Sequence, residues 1–404
     1  MRILQINTIV NAGSTGRIAE DIGRVLSENG HKSYIAYGRG GNISKSELIK
    51  IGNNIDIYRH GIISLLFDRH GFSSRQATIN LIKHIDEISP DIISLHNIHG
   101  YYLNIEILFN YLRGRNIPVV WTLHDCWSFT GHCSFFDKVD CQKWKVGCSH
   151  CELKRTYPSS LLFDNSSNNF KHKKRLFNQV DNLDLVVYSR WLRNKVEESF
   201  LSNHPVHTIH SGIDLNIFKP DTNDIRNLHK IDDRKVILGC ANIWNNRKGL
   251  NDFFYLKSKF GNSCNIVLVG LTKKQINNLP HDIIGIERTR NVEELAGLYS
   301  LADVFVNPTT ADNFPTTNIE ALACGTPVVT YNTGGSGEAV DDHTGVVVDK
   351  SDKQRLYEAV AEVVGNDKKH YIRYCRERAI AKFNKEDRYR DYIKLFEQKI
   401  SREN

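Results

Sequence analysis

Short runs of β-branched and other apolar residues alternate with amphipathic stretches through the first half of the sequence. Residues 18–26 carry apolar side chains at helical spacing, and the apolar runs lie at residues 3–6, 33–37, 91–95, 119–123, 185–188 and 206–209. This alternation predicts a series of βαβ units, and therefore an α/β fold with a parallel sheet.

The same alternation begins again in the second half, with apolar runs at residues 236–239, 265–269, 304–307 and 327–330. A chain of 404 residues is longer than one compact core usually needs, so two domains are expected. A small-residue stretch at 210–214 marks the boundary, which gives an N-terminal domain at 1–212 and a C-terminal domain from 213. Ligands bind outside the carboxyl ends of parallel strands, so the active site is expected between the two halves.

Composition limits the class of partner. The sequence is 40% hydrophobic and 25% charged, with no apolar run long enough to cross a bilayer and no cleavable leader, so a cytoplasmic protein is expected. The formal net charge is +7, but Lys and Arg are scattered except at residues 171–175, which does not support nucleic-acid binding. Nucleotide phosphates and lipid headgroups are the favoured anions. The run at 171–175 is interpreted as a solvated helix face, with a membrane contact as the alternative.

Two glycines follow the first predicted strand. Gly13 and Gly16 precede a helix expected to begin near Ile18, where the free N–H groups and the helix dipole favour a phosphate. The third glycine and the later acidic residue of a dinucleotide fingerprint are missing. Two interpretations of this loop therefore remain: a phosphate contact, and a tight turn that binds no ligand.

Polar side chains also follow two later strands. His124 and Asp125 come at the end of the 119–123 run, and His96 and His99 come after the 91–95 run. A histidine in such a position can donate to a sugar hydroxyl or a phosphate oxygen. We expect His96, His99 and Asp125 on the acceptor side, with histidines satisfied by neighbouring backbone as the alternative.

The second half of the sequence contains the more specific pattern of candidate site residues. Arg247 and Lys248 follow a strand, and together they would neutralise a diphosphate leaving group, a task that a metal performs elsewhere. Glu320, expected at the start of a helix, can accept both ribose hydroxyls, and Asp312 lies eight positions earlier, where it can meet the sugar ring.

The stretch from Asp312 through Glu320 to Pro327 resembles the E-x7-E region of retaining GT-B glycosyltransferases of family GT4. The likeness extends over nearly the whole chain and is greatest to the bacterial group that assembles exopolysaccharide, capsule or O-antigen. It implies a GT-B fold, in which two Rossmann-like domains, here 1–212 and 213–385, face a central cleft. It also implies that a terminal helix at 386–404 packs back on the N-terminal domain.

The resemblance implies a role for individual residues. The catalytic set that it implies is His124, Arg247, Lys248, Asp312 and Glu320. The nucleotide-sugar-binding set is Gly13, Gly16, Asn242, Arg247, Lys248, Asn313, Phe314, Thr317 and Glu320. The sequence departs from the family at two positions, since Asn242 replaces the usual arginine and Asp312 the usual first glutamate. Members of this family need no catalytic metal, which agrees with the lack of a D-x-D pair in a suitable loop.

The predicted function is therefore retaining, metal-independent transfer of a hexose from a nucleotide-diphosphate sugar, with UDP favoured over GDP. The acceptor would be a lipid-linked saccharide or polysaccharide in cell-surface polysaccharide biosynthesis, with the protein peripheral on the inner face of the membrane. A nucleotide-sugar epimerase and a non-catalytic nucleotide-sugar-binding scaffold share the architecture and are the alternatives. Arg247, Lys248 and Glu320 argue against the scaffold.

Five of the nine cysteines fall between residues 126 and 151. Four of them have the spacing C-x7-C-x6-C-x2-C: Cys133, Cys141, Cys148 and Cys151. The C-x2-C pair suits tetrahedral zinc, and a reducing cytoplasm disfavours disulfides. A structural zinc ion, in which His132 or His150 could replace one thiolate, and a loop of packed reduced thiols are the two interpretations. The segment is expected to be an insertion near the acceptor side.

Overall fold

A computed structural model describes residues 1–137, 139–221 and 225–402 of the chain. It divides into two compact units, Met1–Ile209 with Tyr389–Asn404, and His210–Arg388. The domain boundaries expected from the sequence differ from these by at most three residues. Each unit contains one parallel sheet with helices, which confirms the predicted α/β class.

The first unit holds a seven-stranded sheet in the order β3-β2-β1-β4-β5-β6-β7, in which every pairing is parallel. Its strands are β1 (Arg2–Asn7), β2 (Lys32–Tyr37), β3 (Glu47–Lys50), β4 (Ile92–Leu95), β5 (Val119–Leu123), β6 (Leu183–Val187) and β7 (Val206–Thr208). Its first six helices are α1 (Gly13–Glu28), α2 (Asn54–Phe67), α3 (Arg75–Ile88), α4 (Ile105–Arg113), α5 (Ser166–Phe177) and α6 (Arg190–Glu197).

The second unit holds a six-stranded parallel sheet in the order β10-β9-β8-β11-β12-β13. Its strands are β8 (Lys235–Cys240), β9 (Cys264–Val269), β10 (Ile283–Ile286), β11 (Val304–Asn307), β12 (Val328–Tyr331) and β13 (Gly345–Val348). Its helices are α7 (Ile225–His229), α8 (Leu250–Phe260), α9 (Lys273–Asn277), α10 (Val292–Leu301), α11 (Thr316–Ala323), α12 (Lys353–Gly365) and α13 (Lys368–Phe383). A last helix, α14 (Lys385–Ser401), ends the described chain.

The inner strands are predominantly apolar because helices cover both faces of a parallel sheet. Every residue of β4, β5, β6, β9, β11 and β12 is buried, whereas β3 and β13 at the sheet edges are partly exposed. In the described parts of the chain, no helix has both the length and the apolar character that a membrane crossing requires.

The end of α14 belongs to the first unit and packs on its sheet. Tyr392 and Phe396 are buried there, and the Tyr392 hydroxyl accepts a hydrogen bond from Thr122 Oγ1 at 3.4 Å. Lys399 Nζ lies 2.5 Å from Asp184 Oδ1 on β6, and both side chains are buried. A buried ion pair of this kind fixes the orientation of the helix against the sheet.

Both sheets have the same internal plan. The chain leaves β1 towards β2 on one side and later returns to β4 on the other, and β8 lies between β9 and β11 in the same way. Ligands of open α/β sheets bind at the carboxyl ends of strands where the strand order reverses. The loops after β1, β4 and β5, and those after β8, β11 and β12, are therefore the places to look for function.

Candidate functional site

The glycines of the first loop lie inside α1. The helix begins at Gly13, so the expected start near Ile18 is wrong, and Gly13 and Gly16 occupy its first turns. Gly16 permits close packing, since a Cβ there would lie 3.1 Å from the Ile9 carbonyl oxygen. Ala12, the N-cap residue, offers no side-chain cap, so the N–H groups of the first turn are left for water or an anion.

The side chain of His96, directly after β4, is buried and hydrogen-bonded within the sheet. Its side chain is 1% exposed, and Nε2 lies 3.0 Å from Gln5 Oε1 on β1. Trp121 of β5 donates its Nε1–H to the His96 carbonyl oxygen at 3.1 Å. Burial, and then the neighbouring His124, hold the pKa of His96 well below its ordinary value. This residue ties three neighbouring strands together.

His99 and Asp125 form a hydrogen-bonded chain that joins the loops after β4 and β5. His99 Nε2 lies 3.1 Å from Asp125 Oδ2, and His99 Nδ1 lies 3.0 Å from the Tyr157 hydroxyl. Asp125 Oδ1 also accepts the Trp127 backbone N–H at 2.9 Å. Burial alone would raise the pKa of Asp125, but His99 and the backbone donor outweigh it and lower the pKa. The carboxylate therefore stays ionised and fixes the histidine ring.

His124 lies beside these groups. Burial lowers its pKa to about 4, so the imidazole is neutral near pH 7 and can both donate and accept a hydrogen bond. Its ring centroid lies 5.7 Å from that of His96. The four polar residues predicted after β4 and β5 line one small pocket: His96, His99, His124 and Asp125.

In the second unit, a single 3-10 turn, Asn246–Lys248, positions the basic pair after β8. Asn245 begins this turn, and its side chain accepts the Lys248 backbone N–H at 3.2 Å. Gly249 ends the turn with a φ of +74°, and a Cβ there would fall 2.4 Å from the Pro308 carbonyl oxygen. Only glycine permits this close approach, which holds the turn against the loop after β11.

Arg247 and Lys248 converge on Asp312, which lies in the loop after β11. Lys248 Nζ is 2.6 Å from Asp312 Oδ2, and an Arg247 terminal nitrogen is 3.6 Å from the same oxygen. Arg247 also donates to the Ala311 carbonyl oxygen at 2.6 Å. The side chains of Lys248 and Asp312 are 20% and 19% exposed, so solvent reaches the group. Two cations thus lie on one carboxylate, in loops at the carboxyl ends of neighbouring strands.

Glu320 lies in the second turn of α11, because the helix begins at Thr316, one turn earlier than expected from the sequence. Its Oε2 accepts a hydrogen bond from the Tyr299 hydroxyl of α10 at 2.9 Å. Tyr299 is fully buried, and burial, then Cys240 and Glu320, raise its pKa well above the ordinary value. The phenol therefore remains a donor, and it orients the carboxylate. No motif in the sequence identifies Tyr299 as a partner of Glu320.

The loops after β11 and β12 touch through Gly334. Its φ is +54°, and a Cβ there would lie 1.6 Å from the Asp312 carbonyl oxygen. The next residue, Gly335, donates its N–H to the Asn313 carbonyl oxygen at 2.9 Å. Any side chain at Gly334 would displace the backbone that carries Asp312.

The other predicted donor-binding residues differ in exposure. Phe314 is buried and stacks on His210 with ring centroids 5.0 Å apart. Thr317 is partly exposed in the first turn of α11, and Asn242 is exposed in the loop after β8. Thr317 and Asn242 are therefore within reach of a ligand.

The basic run at 171–175 is only partly a solvated face. Lys171 and Lys174 are exposed on α5, whereas Lys173 is 1% exposed. Lys173 Nζ donates to the carbonyl oxygens of Trp127 at 2.7 Å and Thr130 at 3.1 Å. Burial lowers the pKa of Lys173 to about 7, despite nearby thiols and carboxylates that raise it. The interpretation of the run as a solvated face is wrong at this residue.

The cysteine-rich segment surrounds a second, small pocket in the first unit. All four candidate zinc ligands line it together with His132: Cys133, Cys141, Cys148 and Cys151. Across residues 1–137, 139–221 and 225–402, no three His, Cys, Asp or Glu side chains are close enough together to hold a metal ion. A zinc ion would need these side chains to turn towards one point.

Structural zinc therefore stays a prediction. The expected result is about one zinc ion per chain after purification without chelator, because four thiols of this spacing can complete a tetrahedral site. Elemental analysis by mass spectrometry measures it, with a Cys148→Ser/Cys151→Ser variant as the comparison and Cys264→Ser as the matched control. Wild-type protein without zinc would instead support a loop of packed reduced thiols.

Two family models match the chain. The model described as "Glycosyltransferase Family 4" matches residues 15–217, and that described as "Glycosyl transferases group 1" matches residues 234–366. Together they include the polar loops of both units.

Individual relatives are more distant. WcaC of Escherichia coli (strain K12), whose name places it in colanic acid biosynthesis, is 28% identical over 192 residues, which cover 45% of this chain and 46% of WcaC. The capsular polysaccharide biosynthesis glycosyltransferase CapM of Staphylococcus aureus is 24% identical over 201 residues, covering 46% and 53% of the two chains. The chain thus spans about half the length of these curated relatives.

Solved structures are similar over nearly the full chain. Sucrose-phosphate synthase from Thermosynechococcus elongatus has a TM-score of 0.73 at 18% identity and covers 98% of both chains. Anabaena HepE in complex with UDP has a TM-score of 0.71 at 14% identity and covers 98% of this chain and 100% of its own. At these identities the likeness shows the fold, which is GT-B as predicted. Since the family 4 model spans just over half of the chain and the group 1 model a further third, the chain belongs to glycosyltransferase family 4.

Proposed function

We propose that the protein is a retaining glycosyltransferase that uses a UDP-sugar and acts in the biosynthesis of a bacterial cell-surface polysaccharide. The observation that carries the proposal is the convergence of Arg247 and Lys248 on Asp312, in loops after two neighbouring strands, with Glu320 on the helix that follows. Cations for a diphosphate and carboxylates for hydroxyl groups are what a nucleotide-sugar donor requires.

The chemistry that these groups support is displacement at the anomeric carbon. The acceptor oxygen forms a bond to that carbon on the face from which the diphosphate departs, and the carbon–oxygen bond to the phosphate breaks. The hydroxyl proton passes to the leaving phosphate. Arg247 and Lys248 stabilise the negative charge that develops on the diphosphate, so the mechanism uses no catalytic metal.

The first unit is proposed to hold the reacting sugars. His124, neutral at pH 7, can donate to or accept from a hydroxyl of the transferred sugar. Asp125 and His99 keep their hydrogen-bonded geometry and shape the acceptor side. His96 is proposed to support this wall rather than to contact the acceptor, because its ring is buried against Gln5.

The nature of the donor and acceptor is supported by the relatives. The names of WcaC and CapM assign them to colanic acid and capsular polysaccharide biosynthesis, and HepE has been crystallised with UDP. We therefore propose UDP in preference to GDP, and a lipid-linked saccharide or polysaccharide as acceptor. The inner face of the membrane, where such acceptors are presented, is the proposed place of action.

Turnover of a panel of UDP- and GDP-sugars, with and without added Mg²⁺, tests the proposal. One UDP-sugar is expected to be consumed without a metal requirement, and NMR of the product is expected to show the donor's anomeric configuration. A nucleotide-sugar epimerase would isomerise the donor without any acceptor. A scaffold would bind the donor and leave it unchanged.

Replacement of Glu320 by Gln is expected to raise the Kd for UDP about tenfold or more, because a charge-assisted hydrogen bond to the ribose becomes a weaker neutral one. Tyr299→Phe removes only the group that orients Glu320, so a rise of a few-fold is expected. Calorimetric titration with UDP measures both, with Glu358→Gln on the exposed face of α12 as the control. An unchanged Kd in the Glu320 variant would remove the ribose contact from the proposal.

A further inference from the structure

Helix α2 exposes a row of apolar side chains. Ile55, Tyr58 and Ile62 are 76%, 74% and 57% exposed, and with Leu65 they follow the spacing of a single helical stripe. The buried positions of the same helix are the polar residues His60 and Ser64. A helix on the surface of a water-soluble domain normally has the opposite arrangement, so this stripe is an unusual exposure of apolar surface.

The buried histidine of α2 is hydrogen-bonded inside the unit. His60 Nδ1 lies 2.8 Å from Ser74 Oγ, and its Nε2 accepts the Gly71 backbone N–H at 3.2 Å. Burial lowers the pKa of His60 to about 3, so the ring stays neutral and keeps this acceptor. These contacts fix the rotation of α2 about its axis and hold the stripe outward.

A neighbouring segment extends the stripe. Residues 161–163, Leu-Leu-Phe, are 52%, 63% and 55% exposed. The Leu161 backbone N–H donates to the Leu65 carbonyl oxygen at 2.7 Å, and the Phe163 ring stacks on Phe67 with centroids 5.6 Å apart. The α2 stripe and residues 161–163 therefore form one continuous surface, which we call the apolar face: Ile55, Tyr58, Ile62, Leu65, Phe67 and residues 161–163.

Three arginines lie around the apolar face. Arg59 is exposed beside the stripe, Arg69 follows the end of α2, and Arg155 is exposed in the segment that leads to residues 161–163. Of the nearby carboxylates, Asp56 accepts the Asn53 backbone N–H at the start of α2, and Asp68 is buried against His132. Asp164, directly after Phe163, is exposed, and its carboxylate accepts the backbone N–H groups of Cys151 and Ser166. Aliphatic and aromatic side chains bordered by arginines match the interface of a bilayer that contains anionic lipid.

We propose that the apolar face docks the protein on an anionic bilayer. The aliphatic side chains and the phenylalanines would enter the boundary of the acyl chains, with Tyr58 at headgroup level and the arginines on lipid phosphates. A second copy is disfavoured as the occupant, because two identical faces would bring the same arginines together. This proposal extends the membrane partner of the proposed function, and lipid binding can be measured without the transfer reaction.

Flotation of the full-length protein with vesicles tests the proposal. Binding to vesicles of phosphatidylcholine with phosphatidylglycerol is expected, with much weaker binding to phosphatidylcholine alone. Tyr58→Ser/Ile62→Ser is expected to lower partitioning by roughly tenfold or more, since two exposed apolar side chains no longer enter the bilayer. Arg59→Glu/Arg69→Glu is expected to remove the preference for anionic vesicles.

The matched control is Ile43→Ser/Val146→Ser, which removes two side chains that are 93% and 86% exposed elsewhere in the same unit. Equal loss of binding in this control would overturn the assignment to the apolar face. The proposal would also be overturned if the wild-type protein did not bind anionic vesicles. A dimer that is seen by light scattering and is lost on substitution of Ile62 would overturn it as well. UDP binding by each variant shows that it is folded, so failure of membrane docking is distinguished from failure of the proposed function.

Discussion

Replacement of Lys248 by alanine is expected to lower the turnover number by about a hundredfold or more. In the structure Lys248 Nζ lies 2.6 Å from Asp312, at the position proposed to meet the departing diphosphate. Charge develops on that diphosphate as the bond to the sugar breaks, so the lost interaction is stronger in the transition state than with the bound donor. The effect should therefore appear mainly in kcat and less in KM.

Steady-state kinetics with the preferred UDP-sugar measures kcat and KM for the wild type and the Lys248→Ala variant. Lys382→Ala, at an exposed position of α13, is the matched control and is expected to behave like the wild type. Lys248→Arg keeps the charge but changes its geometry, and is expected to recover part of the rate. An unchanged kcat in Lys248→Ala would show that leaving-group stabilisation comes from elsewhere.

Acidification from about pH 6.5 towards pH 4 is expected to destabilise the first unit strongly. Burial lowers the pKa of His60 to about 3 and that of His124 to about 4, and it places those of His70 and His96 well below the ordinary value. Below about pH 6.5 the unfolded chain binds protons at these histidines while the native chain does not. The free energy of unfolding then falls as the pH falls, by up to about 1.4 kcal/mol per pH unit for each histidine.

Urea unfolding, followed by tryptophan fluorescence at about pH 7.5, 6 and 5, measures the free energy of unfolding at each pH. Four of the five tryptophans lie in the first unit, so the signal reports mainly on it: Trp121, Trp127, Trp144 and Trp191. His60→Gln is expected to reduce the pH slope, whereas His84→Gln, at an exposed position, is not. A free energy of unfolding that is constant between pH 7.5 and 5 would contradict the expectation.

The sheets were the most predictable part of the fold, since their inner strands are buried on both faces and appear in the sequence as short, predominantly apolar runs. The runs at 119–123 and 304–307 coincide with β5 and β11. The strands β3, β10 and β13 lie at sheet edges, where partial exposure weakens the apolar signal, and they were not predicted. The start of α1 was misplaced because its first turn consists of Gly and small polar residues, which are typical of loops.

The candidate site was predictable where its residues follow a strand in the chain. Lys248 and Asp312 belong to loops after adjacent strands, and the structure places them 2.6 Å apart. The partners Tyr157 of His99 and Tyr299 of Glu320 come from distant segments. A side-chain contact between remote segments leaves no periodic signal, so these residues could be found only in the folded chain.

The central claim is that Arg247, Lys248 and Glu320 form a binding site for a nucleotide diphosphate. Calorimetric titration of the wild type and of a Lys248→Ala/Glu320→Ala variant with UDP tests it most directly. Saturable binding of one UDP per wild-type chain, lost in a variant that is still folded, is the predicted result. No binding of UDP or GDP by the wild type, or equal binding by the variant, would contradict the account.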